Sequence, residues 1–144
     1  MITATRAATI LIAEDDPDDR LLLSEAISDS QMTYETVFAT DGEEVMSFLR
    51  GNPASVKRGA LPDLILLDIN MPRKNGEEVI RELAGHPFLG KIPIIVLSTA
   101  SNLASRLGHF PNVHQCFSKP ANYSDLVCLV SKLPTYIQND RGRP

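Results

Sequence analysis

Residues 64–68 read LILLD, four apolar side chains followed at once by the carboxylate of Asp68. A continuous apolar run of this kind is typical of a strand that is buried on both faces, as in a parallel sheet. Segments 9–13 (TILIA) and 94–97 (IIVL) have the same character, and segments 34–39 and 113–117 are weaker versions of it. The sequence therefore predicts a sheet of five strands, several of them fully covered.

Helical patterns separate these strands. Asp16-Pro17 supplies a cap and a first-turn proline for the first helix, and Asp41-Gly42 opens the second. A third helix follows Gly76, a short one is expected around 101–107, and the last has apolar residues at 126, 129, 130 and 133. Residues 51–62 are expected to form a surface loop. This alternation predicts an α/β fold, a five-stranded parallel sheet with helices on both faces.

Length and composition restrict the function. The chain has 144 residues, enough for one domain, and its formal charge of −4 disfavours nucleic-acid binding. No apolar run reaches the roughly 20 residues that a membrane span needs. The two cysteines form no CxxC motif, and no secretory signal precedes the first strand. We therefore expect a soluble cytoplasmic protein without membrane or nucleic-acid partners.

Chemically active side chains follow the predicted strands. The first strand ends at Glu14 and Asp15, the third at Asp68, the fourth at Ser98, and the fifth runs into Lys119. Ligands of open parallel sheets bind at this edge. Carboxylates gathered there repel one another and need a cation, and hard oxygen ligands suit Mg²⁺. An acid, a divalent cation, a lysine and a hydroxyl together indicate phosphoryl transfer.

Four motifs, ILIAEDD, LILLDINMPRKNG, IPIIVLS and SKP, resemble the receiver domain of two-component response regulators, the CheY-like fold, over residues 8–133. Residues 134–144 would form a C-terminal tail. The resemblance implies a (βα)5 fold with strand order 2-1-3-4-5 and Asp68 as the phosphoacceptor. It also implies that Asp15, Asp68 and the backbone carbonyl of Asn70 bind Mg²⁺, with Glu14 as the outer acid.

The same resemblance implies that Ser98 is the switch hydroxyl and that Lys119 faces the phosphate. It also implies that the peptide bond between Lys119 and Pro120 is cis. Two positions depart from the common receiver pattern. Thr99 stands where many receivers have alanine, and Cys116 stands where an aromatic residue is expected. Phe117 is therefore the candidate switch aromatic.

The predicted function is that of a stand-alone phosphoacceptor for a histidine kinase rather than an enzyme with a separate substrate. The loop 51–62 and the Ser98-Thr99 pair resemble single-domain receivers that work with bacterial phytochromes. We also expect a homodimer through the last helix, the fifth strand and the tail, where Tyr123, Val127, Tyr136 and Ile137 fall outside the core stripe. The alternative is that Tyr136 and Ile137 fold back onto their own chain.

Two alternatives remain at this stage. A phosphohydrolase with an aspartyl-phosphate intermediate would need a second acid two residues after Asp68, and this chain has Asn70 at that position. A flavodoxin-like cofactor binder would need a phosphate-binding loop of Ser, Thr and Gly after the first strand. This chain has acids there, which would repel the phosphate of the cofactor. The charges of Asp18, Asp19, Arg73 and Lys74 are expected to be solvated.

Overall fold

The computed structural model describes residues 8–30, 33–50, 61–99 and 106–137. Within them the strands are β1 (Ala8–Ala13), β2 (Tyr34–Ala39), β3 (Leu64–Asp68), β4 (Ile94–Ser98) and β5 (Val113–Ser118). The helices are α1 (Pro17–Asp29), α2 (Gly42–Arg50), α3 (Gly76–Ala84) and α4 (Tyr123–Ser131). Short 3-10 turns cover Leu89–Lys91 and Leu133–Tyr136.

The five strands form one parallel sheet in the order β2-β1-β3-β4-β5, as expected. Their register brings the carboxyl ends together: Ala13 lies opposite Ala39 and Leu67, and Asp68 lies opposite Leu97. The polar residues that follow these strands therefore meet at one edge.

The helices begin at the residues that capping rules predict from the local sequence. The Asp16 side chain accepts from the N–H of Asp18 at 2.8 Å, and Pro17 occupies the first turn of α1. Asn75 and Glu78 form a reciprocal capping box at the start of α3. Asn122 caps α4 by accepting from the N–H of Asp125 at 2.9 Å.

Every residue of β3 and β4 is buried, which explains their unbroken apolar sequence. Alternate side chains enter two separate cores. One core lies against α2 and α3 and contains Leu67 and Val96, and the other lies against α1 and α4 and contains Leu66 and Leu97. Helices on both faces thus enclose the sheet.

Several expectations concern residues outside the described ones: most of the helix around 101–107, the loop 51–60 and the tail 138–144. Tyr136 and Ile137 are described, and both are half-buried against the core between the sheet, α1 and α4. The two residues therefore fold back onto their own chain, which is the alternative to the exposed interface expected for them. None of the described helices is long and apolar enough to cross a membrane.

Candidate functional site

Three carboxylates meet where β1 and β3 end. Oxygen atoms of Glu14, Asp15 and Asp68 all lie within 4.8 Å of one another. Glu14 and Asp68 are 2% and 5% exposed, whereas Asp15 is exposed to solvent. The sheet places these acids together because β1 and β3 are adjacent and end at the same level. Two of the acids are buried at the sheet edge and the third faces water.

The ammonium of Lys119 partly offsets this negative charge. Its Nζ lies 3.1 Å from Glu14 Oε1 and 3.3 Å from Asp68 Oδ2. Burial would lower the pKa of Lys119, but the charges of Asp68 and Glu14 outweigh it and raise the pKa above its ordinary value. Lys119 therefore stays protonated beside the Asp68 carboxylate.

One lysine does not neutralise the cluster. Burial raises the pKa of Glu14 to about 7, and the charge of Asp68 acts in the same direction. The N–H of Asp16, 3.2 Å from Oε2, and the ammonium of Lys119 oppose that rise without cancelling it. A further cation at this edge would favour the ionised form. Clustered carboxylate oxygens with an open side fit a hard divalent cation such as Mg²⁺.

The loop after β3 completes the open side of the site. The backbone N–H of Asn70 donates to Asp68 Oδ1 at 3.1 Å, which orients the Asp68 carboxylate. An open cleft of about 530 Å³ adjoins the site, and Asp15, Asn70 and Arg106 are among the residues that line it. Through this cleft solvent reaches Asp15 and the exposed Asn70.

The two hydroxyl residues after the fourth apolar run have different surroundings. Ser98 ends β4, is 1% exposed and lies opposite Ser118 of β5, one residue beyond Leu97, which is opposite Asp68. Thr99 is exposed. Ser98 is thus held within the sheet, while Thr99, the next residue in the chain, faces solvent.

Thr99→Ala is expected to speed hydrolysis of the phosphorylated protein, because a smaller side chain opens the acceptor to water. The decay of phosphorylated wild type and variant can be followed by intact-mass measurement after removal of the donor. Thr135→Ala, an exposed threonine in the last 3-10 turn, is the matched control. Equal decay of wild type and Thr99→Ala would mean that Thr99 does not cover the acceptor.

Phe117 and Ser98 lie on opposite faces of the sheet. Phe117 packs in the core beside α1 and α4, with its ring 6.3 Å from that of Tyr136 in an edge-on contact. Ser98 follows Leu97, which belongs to that same core, so its side chain points to the other face, where Cys116 packs. The switch role of Phe117 stays a prediction, and its contact is with the tail.

The described residues contain no cis peptide bond, so the expected cis bond before Pro120 is wrong. The trans isomer is the lower-energy form of such a bond. Lys119 needs no cis bond to reach the acids, since its N–H donates to the Ser98 carbonyl at 3.0 Å and its ammonium lies between two carboxylates.

Two site residues escaped the sequence interpretation. Asp19 was expected to be solvated, but its Oδ2 lies 3.4 Å from Lys119 Nζ, so three carboxylates surround that lysine. The Arg20 guanidinium donates to the carbonyl oxygens of Glu14 and Asp15 at 3.0 and 3.1 Å. Arg20 thereby fixes the backbone that carries both acids. Its position as the first cation after the acidic run was the available signal.

Arg73 is an exposed loop charge, as expected, but both Arg73 and Lys74 have ion-pair partners that the sequence did not indicate. Arg73 donates through Nε and Nη2 to Asp41 Oδ2 at 2.9 and 2.6 Å, and Lys74 pairs with Glu82. Both cations lie in the loop between β3 and α3. Ion pairs therefore connect the loop that follows Asp68 to its neighbours.

Comparison with known proteins agrees with this geometry. Residues 10–131 match the family described as response regulator receiver domain. Response regulator Rcp1 of Synechocystis sp. is 32% identical over 128 residues, which cover 88% of this chain and 86% of that protein. A crystal structure of its Mn²⁺-bound form superposes with a TM-score of 0.72 at 33% identity, covering 90% and 93% of the two chains.

Two further solved structures are similar over most of their length. The phosphorylated cyanobacterial phytochrome response regulator RcpA has a TM-score of 0.78 and 34% identity, covering 92% of this chain and 94% of its own. Response regulator RPA3017, in red light signalling of R. palustris, has a TM-score of 0.80 and 30% identity, covering 95% and 98%. Neither a phosphohydrolase nor a flavodoxin-like binder is favoured by these matches.

Proposed function

The chain belongs to the response regulator receiver family, and from this premise we propose that Asp68 accepts a phosphoryl group from a histidine kinase, in the cytoplasm expected from the sequence. The observation that carries the proposal is the position of Asp68: a nearly buried carboxylate, bonded to the N–H of Asn70 and beside the ammonium of Lys119. In this proposal the phosphohistidine side chain would approach through the open cleft lined by Asp15 and Asn70.

In the proposed reaction a carboxylate oxygen of Asp68 attacks phosphorus. The new O–P bond forms as the P–N bond to histidine breaks, and the leaving imidazole nitrogen takes up a proton. Lys119 stabilises the phosphoryl oxygens, and Ser98 is the hydroxyl that moves towards them. Hydrolysis of the aspartyl phosphate by water would return the protein to its resting state. The chain would catalyse only these two steps on itself.

Mg²⁺ belongs to this proposal. Asp15, Asp68 and the carbonyl of Asn70 would hold the ion, with Glu14 behind them, and the ion would supply positive charge for the phosphoryl oxygens. The support is the carboxylate cluster of this chain and the Mn²⁺ named for the related Rcp1 structure.

The direct test is incubation with phosphorylated histidine kinases, one of them phytochrome-type, followed by intact-mass measurement of this chain. We expect transfer of one phosphoryl group in the presence of Mg²⁺ and none in EDTA. We propose a phytochrome-type kinase as the donor because RcpA, at 34% identity, is named a phytochrome response regulator. Faster transfer from unrelated kinases would contradict that assignment and leave the phosphoacceptor role intact.

Asp15→Asn is expected to weaken Mg²⁺ binding and to stabilise the metal-free protein, because it removes one of the crowded charges. Since Asp15 is exposed and solvent screens its charge, the free energy of unfolding should rise by at most about 1 kcal/mol. Thermal melts in EDTA and in Mg²⁺ measure both effects. Asp16→Asn is the matched control, since it removes a neighbouring charge and keeps a capping side chain. If Asp15→Asn were less stable than wild type in EDTA, the proposed repulsion between the clustered carboxylates would be contradicted.

We also propose that the output of the receiver is homodimerisation through β5 and α4. β5 is an edge strand, with exposed side chains at His114 and Gln115, and Tyr123 of α4 is 37% exposed. Phe117 contacts Tyr136 behind this surface, so a change in β5 would reach the tail. Unpaired edge strands readily associate with a second chain.

Light scattering across protein concentration tests dimerisation, with and without phosphorylation. We expect the mass to rise towards twice 15.8 kDa in wild type. Gln115→Lys should keep the protein monomeric, because like charges would face each other across a two-fold axis. Thr33→Lys, which adds the same charge beside β2 at the opposite edge, should behave as wild type. Monomers of wild type at all concentrations would refute the dimer.

A further inference from the structure

The loop between β3 and α3 carries both the phosphoacceptor end of β3 and the proposed metal ligand Asn70. Its own hydrogen bonds are short-range: Met71 N donates to the Ile69 carbonyl at 3.1 Å, and Gly76 N donates to the same carbonyl at 3.0 Å. Asn70 is exposed at the open cleft. Contacts from elsewhere in the chain are therefore needed to fix how far this loop stands from Asp15.

Those contacts come from the start of α2. Asp41 is 5% exposed and accepts the N–H of Glu44 through Oδ1 at 2.9 Å, so it caps α2. Its second oxygen accepts both Nε and Nη2 of Arg73. Burial alone would raise the pKa of Asp41, but the N–H of Glu44 and the Arg73 guanidinium hold it below its ordinary value. One carboxylate thus joins a helix end to the middle of the loop.

Backbone geometry supports the same attachment independently. Gly42 N donates to the Lys74 carbonyl at 2.8 Å, and an added Cβ on Gly42 would stand 2.3 Å from that oxygen. Arg73 has a φ of 63°, a left-handed conformation that non-glycine residues seldom adopt without a compensating contact. The ion pair to Asp41 supplies that contact.

We propose that Asp41 and Arg73 are positioning residues of the phosphorylation site, which hold the β3–α3 loop at the distance that lets Asn70 join Asp15 and Asp68 around a divalent cation. We call this pair and the Gly42–Lys74 hydrogen bond the loop clamp. The inference rests on the proposed function, because it assigns the clamp a role in the metal binding described there. The clamp acts on the loop through Arg73 and touches neither phosphorus nor metal.

The charges of the clamp allow a test that separates positioning from electrostatics. Removing the cation Arg73 should tighten binding of a divalent cation if Arg73 acts only as a nearby charge, and removing the anion Asp41 should weaken it. A positioning role predicts weaker binding in both cases, because either change releases the loop. The probe is Mn²⁺, with free ion measured by electron paramagnetic resonance on the full chain.

The variants are Arg73→Gln, Asp41→Asn and the double variant. Asparagine still caps α2, so Asp41→Asn should fold, which thermal unfolding verifies. We expect the Kd for Mn²⁺ to rise about three- to tenfold in each single variant, less than loss of a direct partner of a ligand. The Kd of the double variant should be no higher than that of the weaker-binding single variant, since both substitutions break the same contact.

Lys91→Gln is the matched control. Lys91 is an exposed cation in the 3-10 turn that precedes β4, at the edge of the sheet opposite the acids. The Kd of this variant should stay within about twofold of wild type, because solvent and salt screen a distant exposed charge. Unchanged or tighter binding by Arg73→Gln, together with weak binding by Asp15→Asn, would overturn the clamp and leave the proposed function standing. Wild type that bound no Mn²⁺ would overturn both.

Discussion

Asp68→Asn should fold as wild type does and take up no phosphoryl group from a phosphorylated kinase. The amide of asparagine is not a nucleophile towards phosphorus, while its oxygen can still accept the Asn70 N–H that now reaches Asp68 Oδ1 at 3.1 Å. The change also removes one of three crowded charges, so the metal-free variant should melt no lower than wild type. Intact-mass measurement after exposure to the kinase gives the first result, and thermal melts give the second.

The matched control is Asp18→Asn, which removes an exposed acid from the first turn of α1. It should be phosphorylated as fully as wild type. Undiminished labelling of Asp68→Asn at an acid-stable position would refute Asp68 as the acceptor, since an aspartyl phosphate cannot form there. Equal loss of labelling in both variants would instead trace the effect to the charge of this region.

The central site could be predicted from the sequence because its residues lie at the ends of the strands. Glu14, Asp15 and Asp68 follow buried apolar runs, and a parallel sheet must bring such ends to one edge. Lys119 follows β5 by one residue and reaches the same place. The strand order was predicted from the resemblance to receiver domains, because the alternation of strands and helices alone allows several orders.

Contacts between loops and helices were not predictable in this way. Asp19 and Arg73 are charged residues in polar stretches, and a solvated position is the ordinary expectation for such residues. Their partners, Lys119 and Asp41, are 100 and 32 residues away in sequence. Only the folded chain brings these pairs together, so periodicity and capping rules contain no sign of them.

The orientation of Phe117 shows a second limit, which is register. β4 and β5 shift register between Ile94 and Ile95, where Ile95 lies opposite Gln115 while Ile94 lies opposite Val113. One extra residue in a strand moves every later side chain to the other face. Counting back from Lys119 therefore identifies the right strand without deciding whether Cys116 or Phe117 faces Ser98.

Gly42→Ala is expected to lower the free energy of unfolding by about 2–3 kcal/mol, the upper part of the range for overpacking. The new Cβ would stand 2.3 Å from the Lys74 carbonyl oxygen and 2.8 Å from its carbonyl carbon, both of them backbone atoms that no side-chain rotation can move. Either α2 or the β3–α3 loop must shift, and the Gly42–Lys74 hydrogen bond of the loop clamp would break. Denaturant unfolding at fixed pH in EDTA measures the loss.

Gly85→Ala is the matched control, because Gly85 ends α3 with a φ of −85° and an added Cβ would meet only the Glu82 carbonyl at 3.9 Å. This change should leave stability unchanged or raise it by up to about 1 kcal/mol, since alanine restricts the unfolded chain. The difference between the two glycines isolates the close approach of α2 to the loop. Equal stability of the two variants would mean that the loop yields freely at Lys74, and the Gly42–Lys74 contact would then contribute little to holding Asn70 near the acids.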